Sequence, residues 1–284
     1  MDVTYENGAA LVQTGCFEPR HIFENGQSFR FFPCGENAYE GVAYGRYLRV
    51  EKTRTGARLY PSAPQDFETV WKHYFDLERD YAALFAGCED EALKQGLLYG
   101  CGLRVLNQQP FETLISFIVS ANNNIKRIRG ILGQICELCG EPFSFEGKTW
   151  YRFPEPASLS KLSETDLAGC GSGYRAPYIK GAAHMVAEGF PLDALRHMEY
   201  AAAKKKLQEL PGVGPKVADC VLLFSLGFYD AFPTDVWVKR VMNEHYGFSG
   251  NDKQIYEFAR ERFGPYAGIA QQYLFFRQRE NGKK

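Results

Sequence analysis

Short alternating segments rich in aromatic and β-branched residues open the chain, and longer segments with helical spacing fill the rest. Ala38–Ala43 and Arg46–Lys52 have the length and composition of strands, with Tyr44-Gly45 as the turn between them. Residues 53–56 lead into a third strand at 57–60, so a hairpin and one further strand of an antiparallel sheet are predicted. Over 66–83 the apolar positions Phe67, Val70, Trp71, Tyr74 and Phe75 follow a helical period. From about Asp90 helix follows helix. Pro110 opens a run with Leu114, Ile115, Phe117 and Ile118 on one side, and 125–138 carries Ile128, Ile131, Leu132 and Ile135. Two short helical starts fall between 159 and 167. Further helices are predicted over 176–188, 198–209, 216–226, 235–246, 254–263 and 266–279. Strands first and helices after predict an α+β protein, with an N-terminal antiparallel sheet domain over 1–99 and a mainly helical region over 100–284.

Composition narrows the class. Of 284 residues, 45% are hydrophobic and 24% charged, which excludes disordered, collagen-like and coiled-coil chains. No apolar run approaches the roughly 20 residues of a membrane span. Asp2 and Glu6 stand where a signal peptide would be basic and then apolar, so neither export nor a membrane is expected. A cytoplasmic protein is expected in a prokaryote and a nuclear one in a eukaryote. The net charge of −1 gives no general attraction to nucleic acid, but a local basic patch or backbone N–H groups can hold phosphate without one. Eight cysteines (Cys16, Cys34, Cys88, Cys101, Cys136, Cys139, Cys170 and Cys220) are scattered along the chain, and reduced thiols are expected. Cys136 and Cys139 form one C-x-x-C inside a helical run, with no second pair at metal spacing, so no metal is expected.

The chemistry concentrates at Glu209-Leu210-Pro211-Gly212-Val213-Gly214-Pro215-Lys216. A helix ends at Leu210, two glycines allow a tight turn, and a second helix begins at about Pro215, whose missing N–H costs nothing there. The turn leaves N–H groups near Gly212, Val213 and Gly214, at the positive end of a helix dipole, free for a phosphate oxygen. Taken alone, such a loop is more often a plain helix–helix turn. Lys216 sits in the first turn, where the dipole disfavours a cation and favours the neutral, nucleophilic amine. Nineteen positions later Asp235 follows Pro233-Thr234 and opens the next helix as an ionised N-cap. Each residue alone has a bland explanation as surface lysine or cap; together they form an amine nucleophile and a carboxylate.

The run 210–220 followed by Pro233-Thr234-Asp235-Val236 resembles the helix-hairpin-helix, Gly/Pro-rich loop and Asp motif of base-excision DNA glycosylases. More narrowly, the chain resembles the 8-oxoguanine DNA glycosylase/AP lyase family. Its Lys216-Val217-Ala218-Asp219-Cys220, Gly26-Gln27-Ser28-Phe29-Arg30, Asn122-Asn123-Asn124-Ile125, Gly173-Tyr174-Arg175-Ala176 and Gln271-to-Phe275 segments are similar to that family's and stand in its order. The resemblance implies a TATA-binding-protein-like sheet domain and a helical HhH-GPD region. It implies a monomeric, cofactor-free enzyme that flips 8-oxoguanine out of duplex DNA, where the lesion is paired with cytosine, and excises it. Lys216 would attack the sugar C1′, form a Schiff base and cleave the strand by β-elimination, with Asp235 stabilising the sugar cation. Gly26 would accept from N7–H of the lesion, Cys220 and Phe275 would sandwich it, and Gln271 would read its Watson–Crick edge. Asn122, Arg127 and Arg175 would bond the estranged cytosine while Tyr174 wedges beside it. Gly212, Val213 and Gly214 would hold phosphate. One departure is Trp237, where the family often has histidine; its indole N–H would contact phosphate in that place, or its ring would reshape the pocket rim.

Two other readings stay in view. A sister glycosylase with four C-terminal cysteines for an iron–sulfur cluster is disfavoured, because no cysteine follows Cys220, and the alkylated-base enzymes lack the motif lysine. A DNA-binding module without activity would need neither Lys216 nor Asp235.

Overall fold

In the computed structural model the first sixty residues build a six-stranded antiparallel sheet. Its strands are β1 (Asp2–Glu6), β2 (Ala9–Gln13), β3 (Phe31–Gly35), β4 (Ala38–Ala43), β5 (Arg46–Lys52) and β6 (Gly56–Tyr60), in the order β1-β2-β6-β5-β4-β3. The expected hairpin is β4–β5, in register from Ala38 opposite Glu51 to Ala43 opposite Arg46. Its two-residue turn puts Tyr44 at φ 52° and Gly45 at φ 65°, both left-handed, which matches the strands' twist. Strands β1, β2 and β3 were not predicted. β1 is a short, largely exposed edge strand, and β3 carries Pro33 beside a register shift that breaks its alternation. The structure describes residues 1–282; Lys283 and Lys284, the end of the expected helical region, lie outside the described residues.

The predicted helix over 66–83 is broken. Pro64–Asp66 and Lys72–Tyr74 are α-helical, Phe67–Trp71 is a π turn, and the chain leaves the helix by Asp76, at φ 48°. The Asp76 carboxylate accepts from Arg79 Nε at 2.6 Å and Tyr81 Oη at 3.1 Å. Packing explains the irregularity: Phe67, Trp71, Tyr74 and Phe75 are all buried under the sheet, wider than one regular helical stripe allows. Later helices start and stop close to expectation: Pro110–Ser120, Ile125–Cys139, Ala176–Ala187, Tyr200–Leu207, Pro215–Ser225, Val236–Tyr246, Asp252–Phe263 and Ala267–Asn281. A small hairpin, Pro142–Phe145 with Lys148–Tyr151, interrupts them unpredicted.

Two cores result. One lies under the sheet, around Phe23, Phe31, Leu48, Val50, Trp71 and Tyr74. The other joins the helices, around Leu114, Ile118, Val221, Leu222 and Leu274. Phe29, from the loop before β3, belongs to the helical core and meets Phe117 edge-on at 5.7 Å. The helix Glu91–Tyr99 packs on Ala267–Asn281, where Gly96 lets the backbones close up: a Cβ there would fall 3.2 Å from the Tyr273 carbonyl carbon. The expectation of reduced thiols fails at one pair. Cys16 and Cys101, 85 residues apart, form a disulfide, because the fold brings the start of the sheet domain against the segment after 91–99. No sequence spacing signals such a pairing. No helix among the described residues is long and apolar enough to cross a membrane.

Candidate active site

The hairpin begins with Tyr200–Leu207 and returns along Pro215–Ser225. Leu207, Leu210, Val213 and Val217 are buried and seat it on the helical core. Gly212 is required twice over: its φ is +78°, and a Cβ would meet Tyr178 Cβ at 2.7 Å. The Val213 N–H, expected to be free for phosphate, instead closes the turn by donating to the Leu210 carbonyl at 3.1 Å, while Gly214 is extended and exposed as the N-cap before Pro215. Inside the hairpin, Asp219 accepts from Tyr200 Oη at 2.8 Å and Lys204 Nζ at 2.7 Å. Burial pushes its carboxyl pKa up, with Lys204 and Tyr200 opposing. This buried cross-link holds the two helices together, a role not assigned from sequence; the signal available was a carboxylate on an otherwise apolar helix face.

Asp235 caps Val236–Tyr246 as expected, its Oδ1 accepting from the N–H groups of Trp237 and Val238, both at 2.9 Å. Lys216 is half-buried in the first turn of its helix, Nζ 5.2 Å from the Phe117 ring centre. One turn on, Cys220 is buried and its thiol is pushed up to about 12 by desolvation, against the pull of the Lys216 ammonium. At neutral pH it is a thiol and presents an apolar face.

A third piece comes from the sheet domain. Gly26 lies in a loop at φ +86°. Gln27, buried beside it, donates through Nε2 to the carbonyls of Ile22 (3.0 Å) and Arg104 (2.7 Å) and accepts from the Leu106 N–H (2.9 Å). Its own carbonyl accepts from Gln108 Nε2 at 2.8 Å. The neighbouring glycine is thereby fixed to the segment that leads into the helical core, a task sequence reasoning did not assign to Gln27. The C-terminal helix adds Gln271, which accepts from Gln272 Nε2 at 2.6 Å, and Phe275.

These pieces converge. Gly26, Lys216, Cys220, Asp235, Gln271 and Phe275, with Asn25, Phe117 and Phe224 among their neighbours, line one pocket of about 40 Å³. That is room for a few waters and far too small for a purine, so a base enters only if the lining side chains move apart. Gly26→Ala is expected to cost about 1–2 kcal/mol of stability from the left-handed backbone, because its Cβ would also stand 3.3 Å from Arg279 Nη1. Urea denaturation of the two proteins measures it.

A second group forms a separate wall. Asn122, exposed at φ +49°, tops the turn between Pro110–Ser120 and Ile125–Cys139. Tyr174 is 57% exposed beside it, its hydroxyl 3.4 Å from the Ala121 carbonyl. Arg127 is exposed and donates to the Gly171 carbonyl at 3.1 Å. Arg175 differs from expectation. It is 2% exposed, and its guanidinium donates to the carbonyls of Ala121, Asn122 and Ser172. It holds the Asn122 turn from beneath instead of offering donors outward. Trp237 is half-buried, with Arg240 over its ring at 4.9 Å and Gly282 against its edge. Among the described residues, no group of three or more His, Cys, Asp or Glu is arranged to hold a metal ion.

The chain as a whole is similar to known proteins. Residues 10–114 match the model of the 8-oxoguanine DNA glycosylase N-terminal domain, and residues 115–265 match that of the HhH-GPD superfamily base excision DNA repair proteins. A probable N-glycosylase/DNA lyase of Methanothermobacter thermautotrophicus is 37% identical over 265 residues, covering 86% of this chain and 85% of that protein. The N-glycosylase/DNA lyase OGG1 of Arabidopsis thaliana is 33% identical over 275 residues, covering 89% and 75%. The Clostridium acetobutylicum 8-oxoguanine glycosylase/lyase, solved with double-stranded DNA containing cytosine opposite 8-oxoguanine, superimposes with a TM-score of 0.94 at 36% identity over 99% of both chains.

Proposed function

The chain belongs to the 8-oxoguanine DNA glycosylase family of the HhH-GPD superfamily, and from that premise we propose that the pocket around Lys216 and Asp235 excises 8-oxoguanine from duplex DNA and then cleaves the strand. One observation carries the assignment of residues: an amine, a carboxylate, a left-handed glycine, a thiol and a phenyl ring, drawn from three distant parts of the chain, line a single pocket. The enzyme is a bifunctional N-glycosylase/DNA lyase.

The lesion is taken out of the stack into this pocket. Lys216 gives a proton to solvent, its free amine donates its lone pair to C1′, and the C1′–N9 bond breaks with its electron pair leaving on the base, which takes a proton from the new C1′–N⁺ group. Asp235 stabilises the cationic charge growing on the sugar. Opening of the sugar, with O4′ protonated by water, yields a protonated Schiff base on Lys216. Loss of a C2′ proton then pushes electrons through the imine and expels the 3′ phosphate. Cys220 and Phe275 sandwich the base, and Gln271 reads its Watson–Crick edge. The Gly26 carbonyl accepts from N7–H, which guanine lacks, so guanine leaves that buried acceptor unpaired at about 1–3 kcal/mol. The backbone around Gly212, Val213 and Gly214 faces phosphate, with Trp237 at the rim of the next helix. The direct test is excision over a panel of lesions, with borohydride trapping of the protein–DNA adduct. Release of alkylated bases in preference to 8-oxoguanine, or no adduct with any lesion, overturns the reading.

Asn122 and Arg127 face the estranged partner, with Tyr174 as the wedge and Arg175 setting the Asn122 turn. Cytosine offers O2 and N3 as acceptors, whereas adenine presents an N6 donor that a guanidinium cannot accept. Faster excision opposite cytosine than opposite adenine is therefore expected, and Arg127→Ala should narrow that ratio more than it lowers the rate opposite adenine. Single-turnover rates on both duplexes at one salt concentration decide it; equal wild-type rates would mean that this wall does not read the partner.

A further inference from the structure

Phe275 lines the pocket from the C-terminal helix, and Gly26 lines it from the sheet domain. Nothing in the chain's local sequence ties these two positions together. One side chain touches both. Arg279, one helical turn beyond Phe275, places its guanidinium carbon 5.5 Å from the Phe275 ring centre and 6.0 Å from that of Phe276. Its Nη1 stands 3.3 Å from the point where a Cβ on Gly26 would be. Its Nη2 donates to the carbonyl of Glu24, at the start of the Gly26 loop, and lies 3.5 Å from the Glu280 carboxylate. The residue is only 8% exposed, and its buried Nε has no hydrogen-bond partner among the described residues. Such a desolvated cation is held at a cost, which is tolerated where its geometry is used.

The position of the guanidinium defines what it can do. Phe275 is part of the pocket lining and Arg279 is not, yet the cation lies 5.5 Å from the ring centre. A base stacking on Phe275 therefore meets a ring whose position a buried cation restrains. The guanidinium attracts the electron-rich ring face and limits its tilt. Through the Glu24 carbonyl, the same group limits movement of the Gly26 backbone. Burial lowers the pKa of Arg279, and the carboxylates of Glu280, Glu24 and Asp235 work in the opposite direction.

We propose that Arg279 is a positioning residue for lesion recognition: it locks the stacking ring of Phe275 and the reading carbonyl of Gly26 into one geometry across the two domains. This deepens the assignment of the pocket as the 8-oxoguanine site and rests on it. The consequence is a split between the two activities. Base release needs the ring and the carbonyl in register, and misplacement by about 1 Å can cost on the order of a hundredfold in rate. Cleavage at a preformed abasic site needs Lys216 and the sugar but no base, and should not depend on Arg279.

The experiment compares R279M, which keeps most of the stem but removes the guanidinium, and R279K, which keeps the cation but not the fork. Two single-turnover rates are measured for each: release of 8-oxoguanine opposite cytosine, and β-elimination at an abasic site opposite cytosine. R279M is expected to lower base release by about tenfold or more while abasic-site cleavage stays within about threefold of wild type, with R279K between them. An equal loss of both rates in R279M and R279K would mean a merely structural role, and unchanged base release would mean none; either overturns the proposal. If R279M does not fold, R279K decides by the same split. A wild-type protein that cleaves abasic sites but releases no 8-oxoguanine overturns the parent reading; wild-type release with unchanged release by R279M overturns this one alone.

Discussion

Lys216→Gln is expected to keep lesion-DNA binding and to lose base release, together with the borohydride-trapped adduct, by at least about a thousandfold. Lys216 is the amine that lines the pocket, and glutamine's amide nitrogen has no lone pair available for attack on C1′. The fold should tolerate the change. The position is half-buried in a first helical turn, glutamine has a helix propensity close to lysine's, and the exchange relieves an unfavourable cation–dipole arrangement. What is lost structurally is the contact of Nζ with the Phe117 ring, worth about 0.5–1 kcal/mol where it is partly exposed. Binding by electrophoretic shift and trapping on the same lesion duplex separate the two effects. An adduct formed by the variant at the wild-type rate would assign the nucleophile to another amine.

Asp235→Asn separates structure from chemistry at the other half of the pair. The Asp235 Oδ1 accepts two backbone N–H bonds, and an asparagine Oδ1 can accept the same two. Stability should therefore change by less than about 0.5 kcal/mol, whereas Asp235→Ala should lose about 1 kcal/mol with the cap. The carboxylate charge, which opposes the developing sugar cation, is removed in both. Losing a preorganised electrostatic partner of this kind costs about 2–4 kcal/mol of barrier, or roughly 30- to 1000-fold in single-turnover excision. Full activity in the asparagine variant would leave Asp235 as a cap and nothing more.

The pocket's small volume bears on both predictions. At about 40 Å³ it holds no base, yet Lys216, Asp235 and Cys220 are already set by helix caps and core packing. On the proposed reading the wall opens for a base, and Phe275, less buried than Leu274 and Phe276 on either side, then takes the geometry that Arg279 holds.

Local rules alone determined much of this protein. The hairpin of β4 and β5 follows from alternation and a two-residue turn, and the helices from their apolar period. Gly212 and Asp235 follow from turn and cap chemistry, which acts over two to four residues and is therefore written in adjacent letters. The motif lysine and aspartate were legible for the same reason. Tertiary structure decided the rest, because it depends on contacts between segments far apart in the chain. Burial of four aromatic residues under the sheet turned an expected helix into short α and π pieces. The fold joined Cys16 to Cys101 across 85 residues. It turned Arg175 inward onto the carbonyls of the Asn122 turn, where unpaired backbone acceptors outweigh the attraction of solvent for a guanidinium. And it brought Gly26 to Phe275, 249 positions away, with Arg279 beside them both, since only packing of the sheet domain against the last helix makes those residues neighbours.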